Sequence, residues 1–182
     1  MKKILVLGSC TNKKQKVACK AREIYLGQQH TLTCKAVDGL RKQGYNVDFY
    51  ILSALHGFVE ENTVLEPYNV TWAGMKKADI VNSTQHLHKE FEELVSQYDT
   101  VILLLGKEYL IACGTEGKKF DNIYAFTSNS TKKLIDCKQW VLKTEDCGKY
   151  GAPVIALKGK VLSLMVEGLN EDLLNTLEKN FK

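Results

Sequence analysis

The chain has 182 residues, 45% of them hydrophobic and 25% charged, which is the make-up of one globular domain able to bury roughly 70% of its unfolded surface. Its formal net charge of +4 permits a nucleic-acid partner without imposing one, because a dedicated duplex binder carries a denser basic face. No apolar run nears the roughly 18 residues of a membrane span, and the run Ile4–Leu7 after the first lysines is too short for a secretory leader, so a single cytoplasmic domain over residues 1–182 with no membrane partner is expected.

Residues 3–8 are expected as a strand, apolar without a break from Ile4, the signature of burial on both faces of a parallel sheet. They break into Gly8-Ser9-Cys10-Thr11-Asn12-Lys13-Lys14. From Val17 to Gln43 the spacing predicts helix in two pieces, divided near Gly27–His30, with Gly44 as the stop. Residues 46–52 form a second buried strand, followed by Ser53-Ala54-Leu55-His56-Gly57 and a connection to residue 74 without periodicity. Connections of that length are usually functional. Met75–Gln97 is the clearest amphipathic helix, and Asp99–Leu105 is a third buried strand that ends in Gly106-Lys107-Glu108-Tyr109. Ile123–Phe126, Val154–Leu157 and Lys160–Val166 are expected as short strands, and Leu169–Phe181 as a last helix with Asn170 as its N-cap. Alternating strands and helices predict a single three-layer α/β domain with a central, mainly parallel sheet.

In such a sheet ligands bind outside the carboxyl ends of the strands, so the loops after residues 8 and 52 carry the candidate site. The first can aim backbone N–H groups at an anion beside a helix start. Asn12, Lys13, Lys14 and Arg22 are its candidate phosphate contacts, with a solvated helix face as the plainer reading of the lysines. The Walker spacing and G-x-G-x-x-G are both missing, which argues against an ATPase or a dinucleotide enzyme, and no cofactor is expected. Cys10 beside lysines is a candidate nucleophile or base contact; otherwise it fills the strand end as a small hydrophobe. His56 has the chemistry of a general acid or base near neutral pH. Glu66, held by Pro67, can activate water or stabilise a cationic sugar, or else rest in a salt bridge. Ser9, Ser53, Tyr68 and Asn69 complete the candidate base-binding set, while Trp72 is expected to pin the connection to the core.

The six cysteines are irregularly spaced without a C-x-x-C pair, so thiols are expected rather than disulfides, and no metal site is expected. His86 and His88 stand two apart on a helix and point to different faces, a poor pair of metal ligands.

Taken together, Ser9-Cys10 with Lys13 and Lys14, Ala21-Arg22-Glu23-Ile24-Tyr25, Ile51-Leu52-Ser53-Ala54-Leu55-His56-Gly57 and Glu66-Pro67-Tyr68 resemble an uncharacterised bacterial and phage family of small α/β domains. That group is similar to the core domain of archaeosine synthase and, more distantly, to the uracil-DNA-glycosylase-like fold. The resemblance spans roughly residues 3–110 and implies recognition of a nucleobase at the strand ends, in a uracil-DNA-glycosylase-like or Rossmann-like sheet. The uracil-DNA-glycosylase sequence Gly-Gln-Asp-Pro-Tyr does not occur, which argues against simple uracil excision. Three functions fit these residues: a glycosylase that cleaves a modified base from DNA, with Glu66, His56 and Cys10 as catalytic candidates; a hydrolase or transferase of free nucleotides or nucleosides; and a non-catalytic module that binds a modified base or nucleotide. The family's company points to a role in defence against phages with modified genomes.

Overall fold

The computed structural model describes residues 2–182; Met1 lies outside the described residues. Strand β1 (Lys3–Ser9) pairs in parallel with β3 (Asn46–Ser53) on one side and β6 (Thr100–Leu103) on the other. The parallel series continues through β7 (Lys119–Thr127) and β8 (Asp136–Val141). Strand β4 (Gly57–Glu60) folds back antiparallel on β3 as the outer edge, giving the order β4-β3-β1-β6-β7-β8. A separate two-stranded ladder joins β2 (Cys19–Lys20) to β5 (Val64–Leu65).

Alternation along β1 builds the layers. Ile4 and Val6 face one core with Phe49 and Ile51, covered by α2 (Gln28–Lys42), α7 (Leu157–Glu167) and α8 (Leu173–Asn180). Leu5 and Leu7 face the other core, covered by α3 (Lys77–Ser83), α4 (Gln85–Ser96) and α5 (Lys107–Ala112). Two short helices, α1 (Ala21–Ile24) and α6 (Asp146–Tyr150), lie in the connections. Every side chain of β1 from Ile4 to Leu7 is buried, which explains its unbroken apolar run. The expected three-layer α/β architecture with a mainly parallel sheet is present.

Several expectations are corrected. Val154–Ala156 is a 3-10 turn and Lys160–Val166 belongs to α7, so neither is a strand. β-branched residues there read as sheet because α7 is buried broadly, through Leu157, Val161, Leu162 and Val166. The helix expected over 75–97 is two, because Thr84 caps α3 and turns its hydroxyl to the Ile80 carbonyl at 2.7 Å. The last helix starts later, with Asp172 rather than Asn170 as N-cap; the Asp172 carboxylate accepts from the Leu174 N–H at 3.0 Å. The loop at 106–109 opens into α5, the first helical piece expected from Val17 is only α1, and β2, β4, β5 and β8 are additional strands. No helix is long and apolar enough to cross a membrane among the described residues.

Candidate active site at the end of the central strands

Counting the parallel strands alone in chain order, the sheet runs 2-1-3-4-5, so connections leave β1 and β6 in opposite directions. The gap between those two strand ends is the switch point at which doubly wound sheets bind ligands. A cleft of about 370 Å³ opens there, walled by Ser9, Cys10, Thr11, Asn12 and Lys13 after β1, by Gly27, Gln28 and Gln29 at the start of α2, by Thr71 and Ala73, and by Tyr109 and Ile155. Its size suits a nucleoside-sized ligand, at the lower end of the roughly 300–1,000 Å³ of small-molecule sites.

The loop after β1 is fixed by its own backbone. The Cys10 N–H donates to the Leu52 carbonyl at 2.9 Å, extending the β1–β3 ladder by one residue. Further on, the Leu26 N–H donates to the Lys13 carbonyl and the Gln15 N–H to the Ile24 carbonyl. The Gly27 N–H donates to the Thr11 hydroxyl at 3.2 Å, and a Cβ at Gly27 would sit 2.5 Å from the Thr11 methyl. Only glycine lets the loop approach the start of α2 this closely. Gln29 then reaches across the cleft wall and donates to the Leu104 carbonyl at the end of β6.

On the cleft floor, Cys10 Sγ and Tyr109 Oη are 2.9 Å apart. Burial, followed by the Cys10 thiol, pushes the Tyr109 phenol far above its ordinary value, so it remains a protonated donor. Trp72 is buried edge-on against the Tyr109 ring at 5.1 Å between centroids, pinning the long connection as expected.

The second loop is tied to the first behind the cleft. Ser53 is completely buried. Its Oγ accepts from the Leu55 and His56 N–H groups and lies 2.7 Å from Tyr68 Oη, which lies 2.8 Å from Tyr25 Oη. Burial raises both phenols, so this Ser53–Tyr68–Tyr25 chain is a neutral hydroxyl relay. Lys14 Nζ stands 4.4 Å over the Tyr68 ring, and His56 packs edge-on against that ring at 5.1 Å.

The candidate residues therefore divide. Ser9, Cys10, Asn12 and Lys13 meet in the cleft wall. Lys14, Ser53, Tyr68 and His56 meet in an adjoining cluster. Glu66 and Asn69 are exposed on the connection whose Thr71 and Ala73 line the cleft, and neither is part of its wall. Arg22 turns inward, donating to Glu61 at 2.8 Å, to Asp38, and to the Cys34 carbonyl. It braces the loops from behind. Gln28, Gln29, Thr71 and Tyr109 are cleft residues that composition and spacing did not single out; only the position of Tyr109 after a buried strand pointed to it. Among the described residues no three His, Cys, Asp or Glu side chains gather as a metal site.

Residues 5–127 match a family of unknown function, DUF6884. The chain belongs to this family. The matched segment starts in β1 and ends with β7, so it contains the loops after β1, β3 and β6 but leaves out β8 and the Ile155 wall. No curated protein matches the chain.

Proposed function

We propose that the chain is a nucleobase-directed enzyme that cleaves the N-glycosidic bond of a modified base in DNA, with the base held in the Cys10 cleft. The cleft at the β1/β6 switch point carries this reading. It combines nucleoside-sized space with a hydrogen-bonded thiol–phenol pair, Cys10 and Tyr109, on its floor. Its rim at Asn12, Lys13 and the first turn of α2 suits an anionic group, because free N–H groups and the helix dipole favour negative charge there.

In this mechanism the bond from the sugar C1′ to the base nitrogen breaks, its electron pair leaves with the base, and Tyr109 or Cys10 donates a hydrogen bond to the base as charge builds on it. Water adds to C1′ and gives up its proton to Glu66, on the connection beside the cleft, or to His56, in the adjoining cluster. A base within a duplex must first be flipped out. The resemblance of the Ser9-Cys10, Ser53–Gly57 and Glu66–Tyr68 segments to a family similar to the archaeosine synthase core supports the nucleobase reading, and we place the fold among uracil-DNA-glycosylase-like sheets on the same ground. A second reading, action on a free nucleotide, is favoured by the single anion-binding corner of the cleft.

Incubation with DNAs carrying different modified bases, and separately with nucleosides and nucleotides, distinguishes these readings when released bases and abasic sites are read by mass spectrometry. The expected result is release of one base from DNA, slowed on the order of 10²-fold by Tyr109→Phe or Glu66→Gln. Turnover of free nucleotides alone would establish the second reading. Binding without any release would establish a recognition module and overturn the enzyme.

A further inference from the structure

A second cleft, of about 240 Å³, opens beside the first at the carboxyl ends of β6, β7 and β8. Lys107, Ser128, Ser130, Lys143 and Lys158 are in its wall. The two clefts share a partition: Lys107 and Tyr109 on α5 face one each, as do Val154 and Ile155 on the 3-10 turn. The partition's core is the end of β6, where consecutive carbonyls take side chains from opposite sides. Gln29 donates to Leu104, and Lys158 Nζ donates to Leu105.

Lys158 is half-buried, and that carbonyl is its hydrogen-bond partner. Burial pulls its ammonium down to about 8, with no neighbouring carboxylate to hold it up. A desolvated cation without a counter-charge is unfavourable by itself, and an anion entering the cleft would relieve it. The surroundings suit a phosphate. Lys107 and Lys143 are exposed at the mouth, and the hydroxyls of Ser128 and Ser130 lie 2.9 Å apart. Asp146 accepts from the Lys143 backbone N–H at 2.8 Å.

We infer that the Lys158 cleft is a phosphate subsite, taking a phosphodiester of the strand whose reacting nucleotide lies in the Cys10 cleft. The strand assignment rests on the function proposed above; the phosphate site itself does not. Two clefts that share one partition fit neighbouring units of a polymer, whereas a free mononucleotide would fill the first alone.

The test is amide NMR on the full chain titrated with inorganic phosphate, a deoxynucleoside, a deoxynucleoside monophosphate and a single-stranded DNA trinucleotide. Phosphate is expected to shift the amides of Ser128, Ser130 and Lys158. Lys158→Met should weaken it roughly tenfold or more and Lys158→Arg far less, since a charged hydrogen bond is lost only in the first. Shifts confined to residues 11–14 and 28–29, or unchanged affinity in a folded Lys158→Met protein, would overturn the subsite and leave Lys158 as a cap on Leu105. Should that variant unfold, Lys107→Ala with Lys143→Ala replaces it, and unaltered phosphate affinity there is equally fatal. The trinucleotide should bind at least about tenfold more tightly than the monophosphate, because its second phosphate gains charged contacts. Equal affinities would overturn the strand assignment. Deoxynucleoside shifts at Tyr109 and Gln29 report the Cys10 cleft separately, so failure of one site is distinguishable from failure of the other.

Discussion

At the residue scale, Glu61 binds the loops around the cleft into one frame. Its side chain is nearly inaccessible, and its two carboxylate oxygens accept from Arg22, on α1, and from Arg41, on α2. Its backbone carbonyl accepts from the Arg22 N–H at 2.9 Å. Burial alone would raise this carboxyl, but the Arg41 and Arg22 hydrogen bonds outweigh it and hold the group below its ordinary value. A depressed folded-state value stabilises the protein above the unfolded value, near 4.3, and that stability is lost as pH falls through the folded value. Glu61→Gln is expected to cost about 3 kcal/mol at pH 7, because the partly buried Arg41 loses its carboxylate partner and Arg22 keeps only the more exposed Asp38. The gap between wild type and variant should narrow as denaturation is repeated toward pH 3. A gap independent of pH would show that the carboxylate charge is not what holds the frame.

At the element scale, the packing of α7 on α2 sets the position of the cleft wall. Gly159 on α7 touches the first turn of α2: a Cβ there would lie 2.6 Å from the Gln29 carbonyl oxygen and 3.2 Å from Leu32 Cβ. Backbone cannot yield as a side-chain tip does, so Gly159→Ala is expected to cost about 1–3 kcal/mol by overpacking and to displace Gln28 and Gln29. Gly148→Ala, which meets nothing within 4 Å, is the control and should be near neutral. Denaturation midpoints test the first effect, and the rate at which a thiol reagent reaches Cys10 tests the second. The same contact explains what could be read from the chain. Buried parallel strands such as β1 and β6 announce themselves by unbroken apolar runs, and β3 by a run that only Asp48 interrupts, and the loops that follow them could be located at once. Edge strands cannot be recognised this way: β4 is four residues long, and β8 is half-buried along most of Asp136–Val141. A helix buried as widely as α7 loses the polar stripe that would identify it. The cleft follows the same division. Cys10, Asn12 and Lys13 sit directly after a legible strand and Tyr109 follows another, whereas Gln28, Gln29 and Thr71 reach the cleft through α2–α7 packing and the Trp72 anchor, contacts that are distant in sequence.

At the scale of the whole molecule, the family match ends at residue 127, yet the fold does not. The core beneath α2 joins Val6 and Phe49 to Leu142, Leu157, Val161, Leu162, Val166, Leu173, Leu177 and Phe181, so residues beyond the matched segment supply one wall of it. The C-terminus is anchored as well. Phe181 is buried against Phe126, Trp140 and Tyr124, with ring centroids 4.9, 5.7 and 5.7 Å away, and Lys182 exchanges two backbone hydrogen bonds with Gln139. A fragment ending at Thr127 would bare the apolar face of the sheet and leave β7, a nine-residue strand, as an unpaired edge open to aggregation. It is expected to be insoluble or to lack dispersed amide NMR signals. Removal of Phe181 and Lys182 alone should cost about 3 kcal/mol, the usual penalty for emptying a buried phenylalanine site, without unfolding the protein. A native-like spectrum from the Thr127 fragment would make residues 128–182 an addition to a self-sufficient domain. Its absence would make the C-terminal third, including Lys158 and the partition between the clefts, part of the folding unit that forms the site.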